Sequence, residues 1–229
     1  MQELQEIIRW IEYIIVNGLP ATLLLTALGL GIGLLFGLVL ALARVYAPTG
    51  IQIMATLYER LFRSIPILVL MFVFAIGLPW VFAFAGVGTN AIFAAVAFSL
   101  GLRSSAYQSG IFRSAILSVS PGQLQAARSL GMSEMMANQQ IVLPQAFRIA
   151  VPAWSNEYAV VIKDTSFALA VGVTEMNKLA FNLYTESPAL MMFILVVLTL
   201  IYFCFTYPVT KYVGEYMSKR LKRLGLGGG

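Results

Sequence analysis

The sequence predicts an all-α polytopic membrane protein: five helical spans with one long polar helical interval between the third and the fourth. Three observations predict it. Hydrophobic residues make up 59% of the chain and charged residues only 11%, and the mean hydropathy is +0.84, well above soluble domains. Leu19 to Ala43, Ser64 to Leu102 and Ser187 to Thr210 contain no charged residue. A helix needs roughly 20 apolar residues to cross about 30 Å of hydrocarbon, so the middle stretch holds two spans. The cations, finally, fall mostly on one side of the spans so defined.

The elements follow in order. Leu4, Ile7, Ile8, Ile11, Ile14 and Ile15 recur at helical spacing among Glu3, Glu6, Arg9 and Glu12. Residues 1–17 are therefore expected to form an amphipathic helix on the outer surface. Its acids do not make a signal-peptide n-region, so no cleaved leader is expected. Span one covers 19–43, where Gly29, Gly33 and Gly37 form GxxxG steps suited to close helix packing. Spans two and three, at 64–84 and 90–112, are separated by the breakers Pro79 and Gly86 to Asn90. Spans four and five are placed at 145–168 and 188–211, so the membrane domain runs over 18–212. Residues 213–229 form a basic tail.

Orientation follows from charge. Arg44, Arg60 and Arg63 lie between spans one and two, and Arg113, Arg128 and Arg148 border the polar interval. Lys211, Lys219, Arg220, Lys222 and Arg223 follow span five, while the opposite side carries only Arg9 and Lys178. The positive-inside rule places the interval and the C-terminus in the cytoplasm and the N-terminus outside. The net charge of +5 is thus a membrane-topology signal and no sign of a nucleic-acid partner.

Several chemistries are absent. There is no histidine, which removes Ser-His-Asp catalysis and nearly all catalytic zinc sites. The single cysteine, Cys204, has no internal disulfide partner and reads as a small packing residue. No lysine follows a GxxxxGK[ST] pattern, so any ATP must be bound by another chain.

The polar interval, Pro121 to Arg148, reads as a helix with Pro in its first turn and Gly131 as its stop. Ser133 then caps a second helical piece, and Pro144 opens span four. Composition alone makes this either an ordinary cytoplasmic loop or a docking element for a soluble partner. The spacing is more specific. Gln125-Ala126-Ala127, three residues, Gly131, nine residues, then Ile141-Val142-Leu143-Pro144 resembles the EAA loop (EAA-x3-G-x9-I-x-LP) of ABC importer permeases. The coupling loop is set at about 121–144.

Three further segments resemble the polar amino-acid uptake branch of that family, behind a span one led by Gly18 and Thr22. They are YERLFRSIPILVLMFVFAIGLP with Glu59, Arg63 and Pro66, AYQSGIFRSAI with Tyr107 and Arg113, and LPQAFRIAVPAWSNEYAVVIKDTSFALAVGVTEM with Asn156-Glu157 and Lys163 to Ser166. The resemblance covers nearly the whole chain. It implies a type I importer permease in a prokaryotic cell membrane, without covalent chemistry or a cofactor of its own. The implied partners are two ATPase subunits that bind and hydrolyse ATP, a second permease subunit (identical or paralogous), an extracellular solute-binding protein and a polar amino acid. It makes Gln125, Ala126, Ala127, Gly131, Leu143 and Pro144 the residues that couple to the ATPase. Gln125 stands where the pattern has Glu, Gly110 where it has Glu, and Leu70 where it has Gln.

Buried charge points to the candidate substrate site. Glu157, Lys163 and Asp164 lie inside span four and Arg103 inside span three. A charge at the bilayer centre costs about 2.5–3.5 kcal/mol even on the lenient insertion scale, so such residues face a cavity or one another. Glu157 and Asp164 are seven residues apart and share a helical face; Lys163 is rotated by about 100°. Structural pairing and a midplane pocket for a zwitterion both fit. The resemblance implies that the position of Glu157 and the Lys163 to Ser166 segment approach the bound amino acid, so Glu157, Lys163, Asp164, Ser166 and Arg103, with an apolar wall from Leu70, are the candidate substrate contacts. The competing class is an ion channel or secondary transporter using the same charges without an ATPase, which leaves the Gln125 to Pro144 spacing unexplained.

Overall fold

The computed structural model describes residues 2–84, 90–186 and 190–223 of the chain. Among these, every regular element is helical. The chain starts with α1 (Gln2–Asn17) and α2 (Leu19–Tyr46), and Ile7–Tyr46 is one helical run of 40 residues. At 1.5 Å per residue that is about 60 Å, twice the hydrocarbon thickness. The helix expected over residues 1–17 is α1, and it leads into α2 without a bend. Ile14 is buried against Met176, Leu179, Leu183 and Ile194, while Ile8 and Ile15 stay exposed.

The expected span at 64–84 is not one helix. α3 (Thr49–Ser64) and α4 (Ile67–Phe72, prolonged by a π turn Val73–Gly77) meet at 99°. Pro66 causes the bend: the residue before it, Ile65, is driven to extended backbone (ψ 128°) and cannot continue α3. A second break at Leu78 precedes α5 (Pro79–Phe84). Most of the expected turn at Gly86 to Asn90 lies outside the described residues. α6 (Ala91–Leu117) follows.

The polar interval is α7 (Pro121–Ser129), α8 (Glu134–Ala137) and a π turn (Asn138–Val142) that runs straight into α9 (Leu143–Asp164). As expected, Ser133 caps α8, accepting from the Met136 N–H at 3.3 Å. The π turn precedes Pro144, whose ring and missing N–H disrupt the hydrogen bond to the preceding turn; widening the helix there absorbs the disruption. α9 tightens into a 3-10 turn (Thr165–Val171) that Gly172 ends at φ +86°. α10 (Met176–Glu186), α11 (Met191–Pro208), a π turn (Val209–Glu215) and α12 (Tyr216–Arg223) complete the fold. Met191–Arg223 is a single 33-residue run, so the basic tail expected from 213 is helical to Arg223, with Leu221 buried.

Among the described residues, Ile7–Tyr46 and Met191–Arg223 are long and apolar enough to cross a membrane, and the bent pair Thr49–Ser64 with Ile67–Gly77 makes a possible third. The five-span count thus does not follow from length and composition. α6 and α9 drop out because polar residues such as Arg103, Ser104, Gln108 and Glu157 lower their mean hydropathy, and several of these bond between the two helices. α6 also lies tightly against α2. A Cβ on Gly33 would come within 2.6 Å of Gln108 Nε2 and 2.7 Å of Ser104 Oγ, so only glycine allows this approach. The GxxxG steps of span one serve the packing expected of them.

Candidate functional site

One turn and a half of α6 builds the site. Arg103, Ser104, Tyr107 and Gln108 project from it, toward α9 on one side and toward the α3–α4 bend on the other. Arg103 donates through Nη1 to Asp164 Oδ2, and the adjacent Ser104 Oγ donates to Glu157 Oε1 at 2.8 Å. Consecutive residues of α6 therefore meet the two acids that share a face of α9. Glu157 is only 4% exposed.

Gln108 holds this arrangement in place. Its Nε2 donates to Ser104 Oγ at 3.0 Å and to the Leu30 carbonyl at 3.2 Å. Its Oε1 accepts from Trp154 Nε1 at 3.0 Å. With both its N–H groups and its carbonyl engaged, the amide is locked, and the Ser104 hydroxyl is left to donate to Glu157. Buried polar networks satisfied in this way are rigid, whereas partly satisfied ones are costly.

On the other side, the Tyr107 ring carries two guanidinium groups: Arg103 Cζ lies 4.8 Å and Arg63 Cζ 5.0 Å from its centroid. Arg63 donates to Glu59 Oε1 at 3.1 Å and Arg44 to Glu59 Oε2 at 3.5 Å, while Arg44 also donates to Ser109 Oγ at 3.1 Å. A chain of charge contacts runs from Arg44 through Glu59, Arg63 and Tyr107 to the Arg103–Asp164 pair. Gly110 borders it: a Cβ there would sit 3.7 Å from Glu59 Oε1 and 3.8 Å from Arg63 Nη1.

Of the candidate substrate contacts, Arg103, Glu157 and Asp164 come together. Lys163 is exposed and forms no ion pair among the described residues. Ser166 is half-buried on the 3-10 turn. Leu70 packs in the buried cluster with Leu25, Met71 and Leu100, and its carbonyl accepts from Ser99 at 3.3 Å. Sequence reasoning missed Ser104, Gln108 and Trp154. A signal was present, since Gly33 and Gly37 on α2 and Ser104 and Gln108 on α6 share the same four-residue step. Glu175 was missed too. Fully buried, it caps α10, accepting from the Asn177 N–H at 3.0 Å and the Lys178 N–H at 2.8 Å.

The candidate coupling residues lie on α7 and just beyond it. Gln125 and Ala126 are exposed, while Ala127 is only 2% exposed and packs within its own chain. Gly131, at φ +84°, ends the helix. Its N–H bonds to the Arg128 carbonyl at 3.0 Å, and the Met132 N–H bonds to the Ala127 carbonyl at 3.2 Å. This is the Schellman pairing, and glycine meets its left-handed requirement without strain. Leu130 stands 85% exposed at the tip. Leu143 packs against the cluster around Ala146 and Ala150, and Pro144 is exposed at the start of α9.

An all-helical chain with long apolar helices, an internal polar network and a glycine-stopped helix between two of its helices is the frame of a membrane transport subunit. Residues 33–214 match the family of binding-protein-dependent transport system inner membrane components, and the chain belongs to that family. It is 38% identical over 162 residues to the probable amino-acid permease protein YxeN of Bacillus subtilis, covering 71% of each chain. It is 37% identical over 172 residues to the L-cystine transport system permease protein TcyL of the same organism, covering 74% of this chain and 72% of the other. The crystal structure of an amino acid ABC transporter with histidines superposes at TM-score 0.80 with 29% identity, over 94% of this chain and 97% of that one. The inward-facing MetNI methionine ABC transporter shares the fold, at TM-score 0.68 and 21% identity, over 87% and 94%.

Proposed function

We propose that the chain is the permease subunit of an ATP-driven importer that carries a polar amino acid across a prokaryotic cell membrane. The observation that carries the reading is the meeting of Arg103, Ser104, Glu157 and Asp164 inside the bundle, in a chain whose relatives bear the names of amino-acid permeases. A zwitterion leaving water must exchange hydration of both charged ends for protein groups, and this cluster offers both signs. α6 and α9 count as spans because Ser104, Gln108, Trp154 and Glu157 satisfy one another between them, which gives five spans with the N-terminus outside. α7 docks on an ATPase subunit, a second permease completes the pathway, and a solute-binding protein delivers the substrate from outside. Alternating access then follows ATPase closure and opening. The chain has no covalent chemistry and no cofactor of its own.

Reconstitution tests this. Vesicles holding the permease with its ATPase subunits are expected to take up amino acid only with ATP and the binding protein. Uptake by this polypeptide alone, driven by an ion gradient, overturns the reading in favour of a secondary transporter or channel.

Topology gives a separate expectation. In a Cys204→Ala background, Ser133→Cys and Gln5→Cys should react with an impermeant thiol reagent from opposite sides of the membrane. Reaction from the same side removes the odd number of spans.

A further inference from the structure

Glu157 and Asp164 are about 10.5 Å apart along the axis of α9, on one face. Two carboxylates so arranged form a receptacle for a molecule with a cation at each end. A basic amino acid is such a molecule, with its α-ammonium at one acid and its side-chain cation at the other. In this chain the second place is taken. Asp164 already binds the Arg103 guanidinium, and the Tyr107 ring holds that guanidinium from another direction. Among the described residues Glu157, by contrast, has only the neutral Ser104 hydroxyl as a side-chain partner. One acid is satisfied from within and the other is left for a ligand.

We propose that Arg103 sets the charge selectivity of this permease: it occupies the acid that a basic side chain would need, so the carried amino acid does not have a basic side chain. The inference rests on the amino-acid reading above. Three substrate classes can be compared at the pair. A basic side chain has to displace Arg103, which leaves a half-buried guanidinium without its counterion, and the exposed Lys163 beside Asp164 adds a second repelling charge. Removing one partner of a partly desolvated ion pair is unfavourable. An acidic side chain can bind Arg103 without displacing Asp164, because the pair uses one Nη1–H of a guanidinium that carries five N–H donors. A neutral side chain leaves the pair intact, and the α-ammonium goes to Glu157.

The test is direct binding of radiolabelled L-glutamine and L-arginine to the purified permease–ATPase complex, without the binding protein, whose own selectivity would mask the site. The wild-type complex should bind glutamine at least tenfold more tightly than arginine. Arg103→Met, which frees Asp164, should tighten arginine binding at least tenfold, and Arg103→Lys should not. The double variant Arg103→Met/Asp164→Asn, which removes both charges of the pair, should keep glutamine and still exclude arginine. A wild-type complex that binds arginine as tightly as glutamine overturns the proposal whatever the variants do. So does an assembled Arg103→Met complex with unchanged arginine affinity, or a double variant that gains arginine. If instead Glu157→Gln leaves the binding of every amino acid unchanged, the amino-acid site itself is misplaced. That failure is distinct from a failure of the selectivity argument.

Discussion

An Ala126→Glu variant is expected to lose ATP-driven uptake while the permease still folds and inserts. The two alanines of α7 are not equivalent. Ala127 is buried inside its own chain, so enlarging it damages the permease before it touches a partner. Ala126 is exposed one residue earlier, on the same helix whose tip presents Leu130 with 85% of its surface free. Exposed small and apolar residues on a short, rigidly stopped helix are what a docking surface requires. A glutamate at 126 puts a larger, charged group into that contact. Overpacking a fitted site costs about 1–3 kcal/mol, and a charge buried without a partner costs several more. The sum is enough to reduce ATPase binding by a hundredfold or more, at 1.4 kcal/mol per tenfold. Co-purification of the ATPase subunits and ATP-dependent uptake are the measurements. Normal co-purification together with normal uptake shows that this face of α7 docks nothing. Ala126→Ser, which changes little in size, should be silent.

What the sequence made legible was whatever is written in local spacing. The glycine stop at Gly131, the Ser133 cap and the tight α2–α6 approach at Gly33 each follow from a few residues read together, and the helical fold follows from the long charge-free windows. Two kinds of feature were not legible. One is the direction of a helix after a break. Pro66 announces an interruption, but the 99° bend depends on how α3 and α4 pack against α6. The helix expected over residues 1–17 is α1, Gln2–Asn17, whose direction is likewise not local: it continues into α2 as one run from Ile7 to Tyr46. The other is pairing between distant residues. The two acids on one face of α9 were visible from their seven-residue step. That Arg103 takes Asp164 while Ser104 takes Glu157 depends on the register of α6 against α9, which no local pattern encodes. Glu175 shows a third limit: glutamate is a poor sequence signal for a helix cap, because Ser, Thr, Asp and Asn lead at that position.

Glu157→Gln is expected to raise the half-saturation for uptake about ten- to hundredfold while assembly with the ATPase subunits is preserved. The substitution keeps the shape of the side chain. Its remaining carbonyl oxygen can still accept from Ser104, now 2.8 Å from Oε1, so the α6–α9 register held by Gln108 and Trp154 has no cause to change. Only the negative charge is removed. If the ammonium of the substrate is the natural partner of Glu157, the variant replaces a charge-assisted hydrogen bond by a neutral one, a loss of about 1.5–3 kcal/mol and hence the stated range. The burial of Glu157 makes the alternative sharp. A carboxylate that is 4% exposed and serves only to hold the bundle together would gain from losing its desolvated charge, so assembly or thermal stability would shift and substrate affinity would not. Measuring both on the same preparation separates the two. Weaker affinity in a normally assembled complex assigns Glu157 to the substrate, and altered stability with unchanged affinity assigns it to the fold. Ser104→Ala supplies the second reading, because it takes away the donor and leaves the charge. It should weaken uptake less than Glu157→Gln if the substrate is the partner that matters, and more if the hydroxyl is.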